Sequence, residues 1–140
     1  MATDFKDIRE AIRLKLEEST KIQVAYNYER STFEGFPAVI VAPTENEADY
    51  GSQSNDRLVF VFKLRAYYPI PSEGEHQDAE AALEEVVDEI LTMFRARNSL
   101  GGSCDWVQPA PSVWQYEERG EGVYRMAEVT LRCTKYVGTS

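Results

Sequence analysis

The residues of this chain that could do chemistry are few and lie far apart in the sequence. His76 is the only histidine and stands among acidic residues, and the two cysteines, Cys104 and Cys133, belong to no CxxC pair. Such a set makes a standard zinc site only if the fold brings carboxylates to it. The sequence contains no GxSxG, P-loop or GxGxxG motif. We therefore expect no catalytic residue, no cofactor and no metal, and we interpret His76 as a surface residue.

A second pattern with possible chemistry is an alternation of acids that resembles a calcium loop. Glu45, Glu47 and Asp49 occupy alternate positions of a polar stretch. The sixth position of such a loop requires glycine and the twelfth requires glutamate, but Tyr50 and Asp56 stand there. We interpret the stretch as an acidic loop that is either solvated or faces a partner, because long loops between strong strands are usually functional or disordered.

Aromatic residues in the last third of the chain offer a third possibility. Trp106, Trp114, Tyr116 and Tyr124 could form a stacking platform for single-stranded nucleic acid. The basic groove that accompanies such platforms is missing from the sequence. Packing in a core or at an interface explains these side chains better.

Length and composition are those of one globular domain. The chain has 140 residues, of which 43% are hydrophobic and 28% charged, and its net charge of -9 disfavours binding along a nucleic-acid backbone. No apolar run approaches the ~20 residues that cross a bilayer. The first ten residues are charged where a signal peptide is apolar. We expect residues 1–140 to form a single domain kept in a cytoplasm, with Cys104 and Cys133 as free thiols.

The strongest structural signal is the strict alternation of residues 57–68, RLVFVFKLRAYY, which predicts a central strand. One face is wholly apolar and has to be covered: Leu58, Phe60, Phe62, Leu64 and Ala66. The other face mixes apolar and charged side chains: Val59, Val61, Lys63, Arg65 and Tyr67. This second face is expected to be either partly wet or in contact with another chain.

Two amphipathic helices are predicted to cover the apolar face. Residues 4–18 repeat apolar side chains at helical spacing, and a longer helix runs from residue 74 or 75 to residue 97. Shorter strand signals occupy residues 22–26, 36–42, 113–117 and 123–136. The predicted fold class is α+β: an antiparallel or mixed β-sheet of about four to six strands covered on one face by two α-helices.

The order of these elements and several motifs resemble bacteriophage tail terminator proteins, also called tail completion or minor tail proteins. The motifs are PAVIV at residues 37–41, the aromatic strand with Phe60 and Phe62, the helix pattern AExxLxxxVDxI at residues 79–90, and CDWV at residues 104–107. The acidic stretch with its tyrosine lies between the first two motifs, as in similar chains. The resemblance covers nearly the whole chain.

The resemblance implies a non-enzymatic structural protein of the virion tail or neck, assembled in the host cytoplasm. Similar proteins form a hexameric ring on the last ring of the tail tube protein. The ring stops tube growth and offers a surface for the head-completion or connector protein. DNA would pass through the ring without specific binding, because an acidic channel repels the duplex. The alternatives are a head–tail connector or head-closure ring subunit, and a small cytoplasmic protein-binding module or enzyme subunit.

In such a ring, neighbouring subunits are expected to meet through the acidic stretch 44–56 and the cationic face of the central strand. The stretch is too polar for a local core, and the cations could receive a neighbour's acids. Pairs of this kind set orientation more than affinity. The expected interface residues are Glu45, Glu47, Asp49, Tyr50, Asp56, Arg57, Lys63 and Arg65.

Overall fold

Two helices and five strands make up the described part of the chain. A computed structural model describes residues 4–30, 32–49, 55–70, 77–95, 106–120 and 122–138. In chain order, the elements are α1 (Asp4–Glu17), β1 (Val24–Tyr26), β2 (Ala38–Asp49), β3 (Asn55–Pro69), α2 (Gln77–Arg95), β4 (Trp106–Arg119) and β5 (Gly122–Gly138).

The described strands form a single mixed sheet in the order β1-β2-β3-β5-β4. β1 pairs parallel with β2, and every other neighbouring pair is antiparallel. β3 contains the strand predicted to be central and lies in the middle of the sheet, between β2 and β5. The predicted α+β class is therefore confirmed.

Both helices cover the same face of the sheet. α1 contacts β1 and β2, whereas α2 contacts β3, β4 and β5. Phe62 and Leu64 of β3 are fully buried, and they share one core cluster with Ile12 of α1 and Ile90 of α2. Burying one such apolar side chain contributes about 1.5–3 kcal/mol. The prediction that the helices cover the apolar face of β3 is confirmed.

A smaller cluster covers one end of the opposite face. The segment that joins β1 to β2 folds over the sheet there, and Phe33 of this segment stacks on Tyr67 with ring centroids 5.1 Å apart. Phe36 stacks on Tyr124 of β5 at 5.7 Å. Tyr67 is fully buried. At this end, the second face of β3 is covered by the protein's own chain rather than by water.

The acidic stretch is mostly strand, so the prediction of a loop over residues 44–56 is wrong at both ends. β2 continues to Asp49 and β3 begins at Asn55. The ladder between them continues past an irregularity after Pro43. A ladder is built from main-chain hydrogen bonds, so polar side chains do not prevent it. Tyr50 lies outside the described residues.

β4 is also longer than predicted. It runs through Pro109 and Pro111, where the sequence signal suggested no strand. β4 is the last strand in the sheet order of the described residues. Proline is tolerated on such a strand because its missing amide hydrogen can face away from the neighbour.

Cys133 forms no disulfide and is fully buried in the main core. The other predicted thiol, Cys104, and His76 lie outside the described residues. Within the described ranges, no helix is long and apolar enough to span a membrane.

Candidate functional site

Of the eight predicted interface residues, the seven that the structure describes lie along the hairpin of β2 and β3, and Tyr50 lies outside the described residues. The backbone register pairs Asp49, an expected acid of the interface, with Arg57, an expected cation. Glu47 pairs with Val59 and Glu45 with Val61. Asp56 lies on β3, where it pairs with Val137 of β5. The hairpin therefore gathers these residues along one pair of strands.

Lys63 and Arg65 already share an acid of their own chain. Arg65 Nε donates a hydrogen bond to Glu128 Oε1 at 3.1 Å, and Lys63 Nζ lies 3.6 Å from Glu128 Oε2. Glu128, on β5, is only 5% exposed. A carboxylate removed from water in this way requires cationic partners. The sequence alone could not bring Glu128 to Arg65, because that contact depends on the β3–β5 register.

The charge network extends from Arg65 towards the covered end of the face. Arg65 Nη1 lies 3.4 Å from Glu29 Oε1, and Arg119 Nη2 lies 3.0 Å from Glu29 Oε2. Arg119 Nε donates to Glu117 Oε2 at 3.3 Å, and its Nη1 donates to the carbonyl of Arg30 at 2.8 Å. The network thus ties β3 and β4 to the segment between β1 and β2, and it orders this part of the face.

Tyr67 lies beneath this network. The Arg119 guanidinium sits over the Tyr67 ring, 4.9 Å from its centroid. Burial, followed by the Glu117 carboxylate, raises the pKa of Tyr67 above its ordinary value. Its hydroxyl has no hydrogen bond of good geometry among the described residues, although Glu117 and Arg119 lie close enough to affect its ionisation. This phenol is held neutral, which suits a packing role.

The aromatic residues singled out in the sequence do not form one platform. Tyr124 packs on Phe36 on the helix-free face, and Trp106 begins β4 at the far end. Only Trp114 and Tyr116 act together, around Arg125 of β5.

Arg125 lies between the two exposed aromatic rings. Its guanidinium carbon is 5.3 Å from the Trp114 ring centroid and 4.6 Å from that of Tyr116. The Arg125 Nε donates to the carboxylate of Glu80 on α2. Trp114 is 37% exposed and Tyr116 53%. We call Trp114, Tyr116 and Arg125 the aromatic edge.

The described residues offer little else for chemistry. Within them, no group of three or more histidine, cysteine, aspartate or glutamate side chains could hold a metal ion. An open cavity of about 260 Å³ lies beside α2 and contains neither histidine nor cysteine; it is lined by Lys21, Glu85, Asp88, Glu89 and Thr92.

No protein-family model matches this sequence, and no curated protein is significantly similar to it.

Proposed function

We propose that this protein is a structural ring subunit that caps a bacteriophage tail tube, ends its growth and provides the surface to which the head is joined. The proposal extends the tail terminator resemblance, and it assigns the protein no enzymatic activity. Its partners would be further copies of the chain in a hexameric ring, the tail tube protein and a head-completion or connector protein. The protein would act in the tail or neck of the virion.

The observation that supports this best is an acidic β-hairpin with an open outer side. β1 pairs only with Ala38, Val39 and Ile40, whereas β2 runs on to Asp49. At the next position, Arg9 Nε of α1 donates to the Val41 carbonyl at 3.1 Å. Beyond it, the described residues supply no strand on the outer side of β2. Such a strand can pair with a neighbouring subunit.

A ring requires this kind of asymmetric contact. Head-to-tail interfaces between unlike surfaces close into rings when the rotation between subunits permits it. In the proposed interface, one subunit supplies the hairpin acids Glu45, Glu47 and Asp49. The next supplies cations around Arg65, whose charge is shared with Glu128. Because that pair is already satisfied within the chain, main-chain contacts of the hairpin would contribute more than charge.

The overall charge fits the proposed passage of DNA. A ring of subunits with a net charge of -9 each repels the duplex, so DNA can slide through it. The same charge repels free subunits at low salt. Ring closure is therefore expected at high protein concentration, at higher salt or on the end of a tube.

Electron microscopy of the purified protein, alone and mixed with tail tubes, tests the proposal. We expect rings that cap tube ends, and tubes that stop growing when the protein is added. Binding to portal-capped heads but not to tubes would favour a head–tail connector. A monomer that binds neither would remove the ring reading and leave a cytoplasmic binding module.

The hairpin's part is tested by reversing Glu45, Glu47 and Asp49 to lysine. This variant should keep its circular dichroism spectrum and lose ring closure. A matched control reverses three acids exposed elsewhere and makes the same change in net charge: Glu18, Glu84 and Asp88. If both variants close rings equally well, the hairpin is not in the interface.

A further inference from the structure

Two prolines divide the open side of β4 into unlike halves. Pro109 pairs with Leu131 and Pro111 with Val129 of β5. Antiparallel pairs alternate between residues whose amides point at the partner and residues whose amides point away. Because proline has no amide hydrogen to donate, both prolines fit the set that points away from β5. The first half of β4 therefore lacks two successive donors on its open side, at Pro109 and Pro111, and this interruption protects an edge from unwanted pairing.

The second half of β4, residues 113–119, contains no proline. A register shift between Pro111 and Val113 moves the alternation by one residue. Trp114 and Glu118 then belong to the set whose amides point away from β5. Within the described part of the chain, β4 has β5 as its only strand neighbour. This half of the edge is suited to accept a further strand.

The aromatic edge lies on this same half. Arg125, held by Glu80, fixes the Trp114 and Tyr116 rings from their inner side. Both rings remain accessible, as their exposure shows. Aromatic anchors that are already rigid lose little conformational entropy on binding, and tryptophan, tyrosine and arginine dominate protein interfaces energetically.

Exposed acids lie on β4 and on the helix that packs against it. Glu118 is exposed on β4 itself, and Glu84 is exposed on α2, the helix that packs against β4. The charge of Arg125 is balanced by Glu80. These acids and the net charge of -9 attract a cationic segment to this half of the edge.

We propose that residues 113–119 of β4 form a docking edge that binds an extended, cationic segment of a partner protein by strand addition. Main-chain hydrogen bonds to the open side supply affinity, and apolar side chains of the segment lie over Trp114 and Tyr116. Lysine or arginine side chains of the segment meet Glu118 and the acids of α2. The docking edge is separate from the β2–β3 hairpin, so it does not depend on ring formation.

A fluorescently labelled, acetylated peptide of four Val-Lys repeats tests this by anisotropy. We expect saturable binding that weakens with salt and falls by about tenfold or more, 1.4 kcal/mol or more, in Trp114→Ala or Tyr116→Ala. Trp106→Ala is the matched control, because it removes an exposed tryptophan from the proline-bearing half of the same strand. Circular dichroism and thermal melts of each variant check that the fold is kept.

Modified peptides separate strand addition from simple charge attraction. One peptide carries N-methyl groups on its valine amides and another on its lysine amides, with side chains and charge unchanged. Loss of binding with valine methylation indicates antiparallel addition, and loss with lysine methylation indicates parallel addition. A fourth peptide replaces each lysine with glutamate. If the two methylated peptides, the unmodified peptide and this Val-Glu peptide all bind equally well, the proposal is overturned.

Two further outcomes also overturn it. One is failure of the Val-Lys peptide to bind the wild-type protein. The other is a concentration-dependent dimer in sedimentation equilibrium that Trp114→Ala abolishes, which would assign the edge to a second copy of the chain.

Discussion

Glu128 and Arg65 face each other across the β3–β5 ladder, and the Arg65 guanidinium donates to the Glu128 carboxylate at 3.1 Å although the acid is only 5% exposed. Lys63 reaches the other carboxylate oxygen. The contact favours the observed register of β3 against β5. It also means that the buried Glu128 carboxylate depends on Arg65 and Lys63 to balance its charge.

Replacing Glu128 with glutamine should destabilise the protein by about 1.5–3 kcal/mol, the usual range for a hydrogen bond to a charged group. The loss also removes the acid that Lys63 and Arg65 share, although Arg65 keeps its contact with Glu29. Urea unfolding followed by circular dichroism measures the change. Glu84→Gln, at an exposed position of α2, should stay within about 0.5 kcal/mol of the wild type. Equal stability of both variants would contradict a structural role for the pair.

Phe62→Ala should cost about 3–5 kcal/mol, because it removes a fully buried ring from the core between β3 and α2. The matched control is Leu14→Ala, since Leu14 lies on α1 but is 51% exposed. Thermal and urea midpoints report both changes. A midpoint for Phe62→Ala that equals the wild-type value would contradict the packing of α2 on β3.

Glu10 should make a small, pH-dependent contribution to stability. The hydrogen bond from Arg13 lowers the pKa of Glu10, so its ionised form is favoured in the folded state. The contribution is fully present above the pKa of an ordinary glutamate in the unfolded chain, ~4.3. It is lost as the pH falls through the lower pKa that Glu10 has in the folded protein. Solvent screening keeps it to a few tenths of a kcal/mol, because the side chain is 42% exposed.

Urea unfolding of Glu10→Gln between pH 3 and pH 7 measures this contribution. The deficit relative to wild type should be present at neutral pH and shrink on acidification. Glu18→Gln serves as the control, since its side chain is 68% exposed and pairs only loosely with Lys15 at 3.9 Å. If the deficit in the free energy of unfolding instead grew at low pH, the pKa of Glu10 would be raised by folding rather than lowered.

Both cysteines should be alkylated when the protein is purified without reductant and then unfolded. Mass spectrometry should show two additions, on Cys104 and Cys133. In the native protein, Cys133 should react slowly because it is fully buried. A mass with no addition after unfolding would indicate a disulfide.

The protein should not retard DNA in a gel shift at low salt, because its charge opposes the counterion release that drives such binding. The control is the same assay with the lysine-reversed hairpin variant, whose net charge is less negative. Sub-micromolar binding by the wild type would restore a nucleic-acid role for its exposed aromatic residues.

The parts of the fold that the sequence predicted are those in which burial repeats along the chain. From Phe62 to Ala66 on β3, fully buried side chains alternate with half-buried ones. On α1 and α2, buried residues recur at every third or fourth position. Both patterns indicate which face meets the core. The outer part of the β2–β3 hairpin was predicted as a loop, because main-chain pairing holds it and the polar side chains there give no strand signal.

The candidate site was less predictable, since its contacts join residues distant in sequence. Lys63 and Arg65 could be identified as cations on one face, but their partner on β5 depends on register. Trp114, Tyr116 and Arg125 likewise meet only because β4 and β5 are neighbours. The sequence favoured packing in a core or at an interface for the aromatic residues, without saying which of them meet.

The position of β5 between β3 and β4 has a consequence for synthesis on the ribosome. Both neighbours precede β5 in the chain, so neither can complete its pairing until the last described strand has emerged. At roughly 5–20 residues per second, β3 waits for several seconds with one side unpaired. During that interval, the nascent chain carries an apolar strand that can join other chains, and chaperone binding at β3 would protect it.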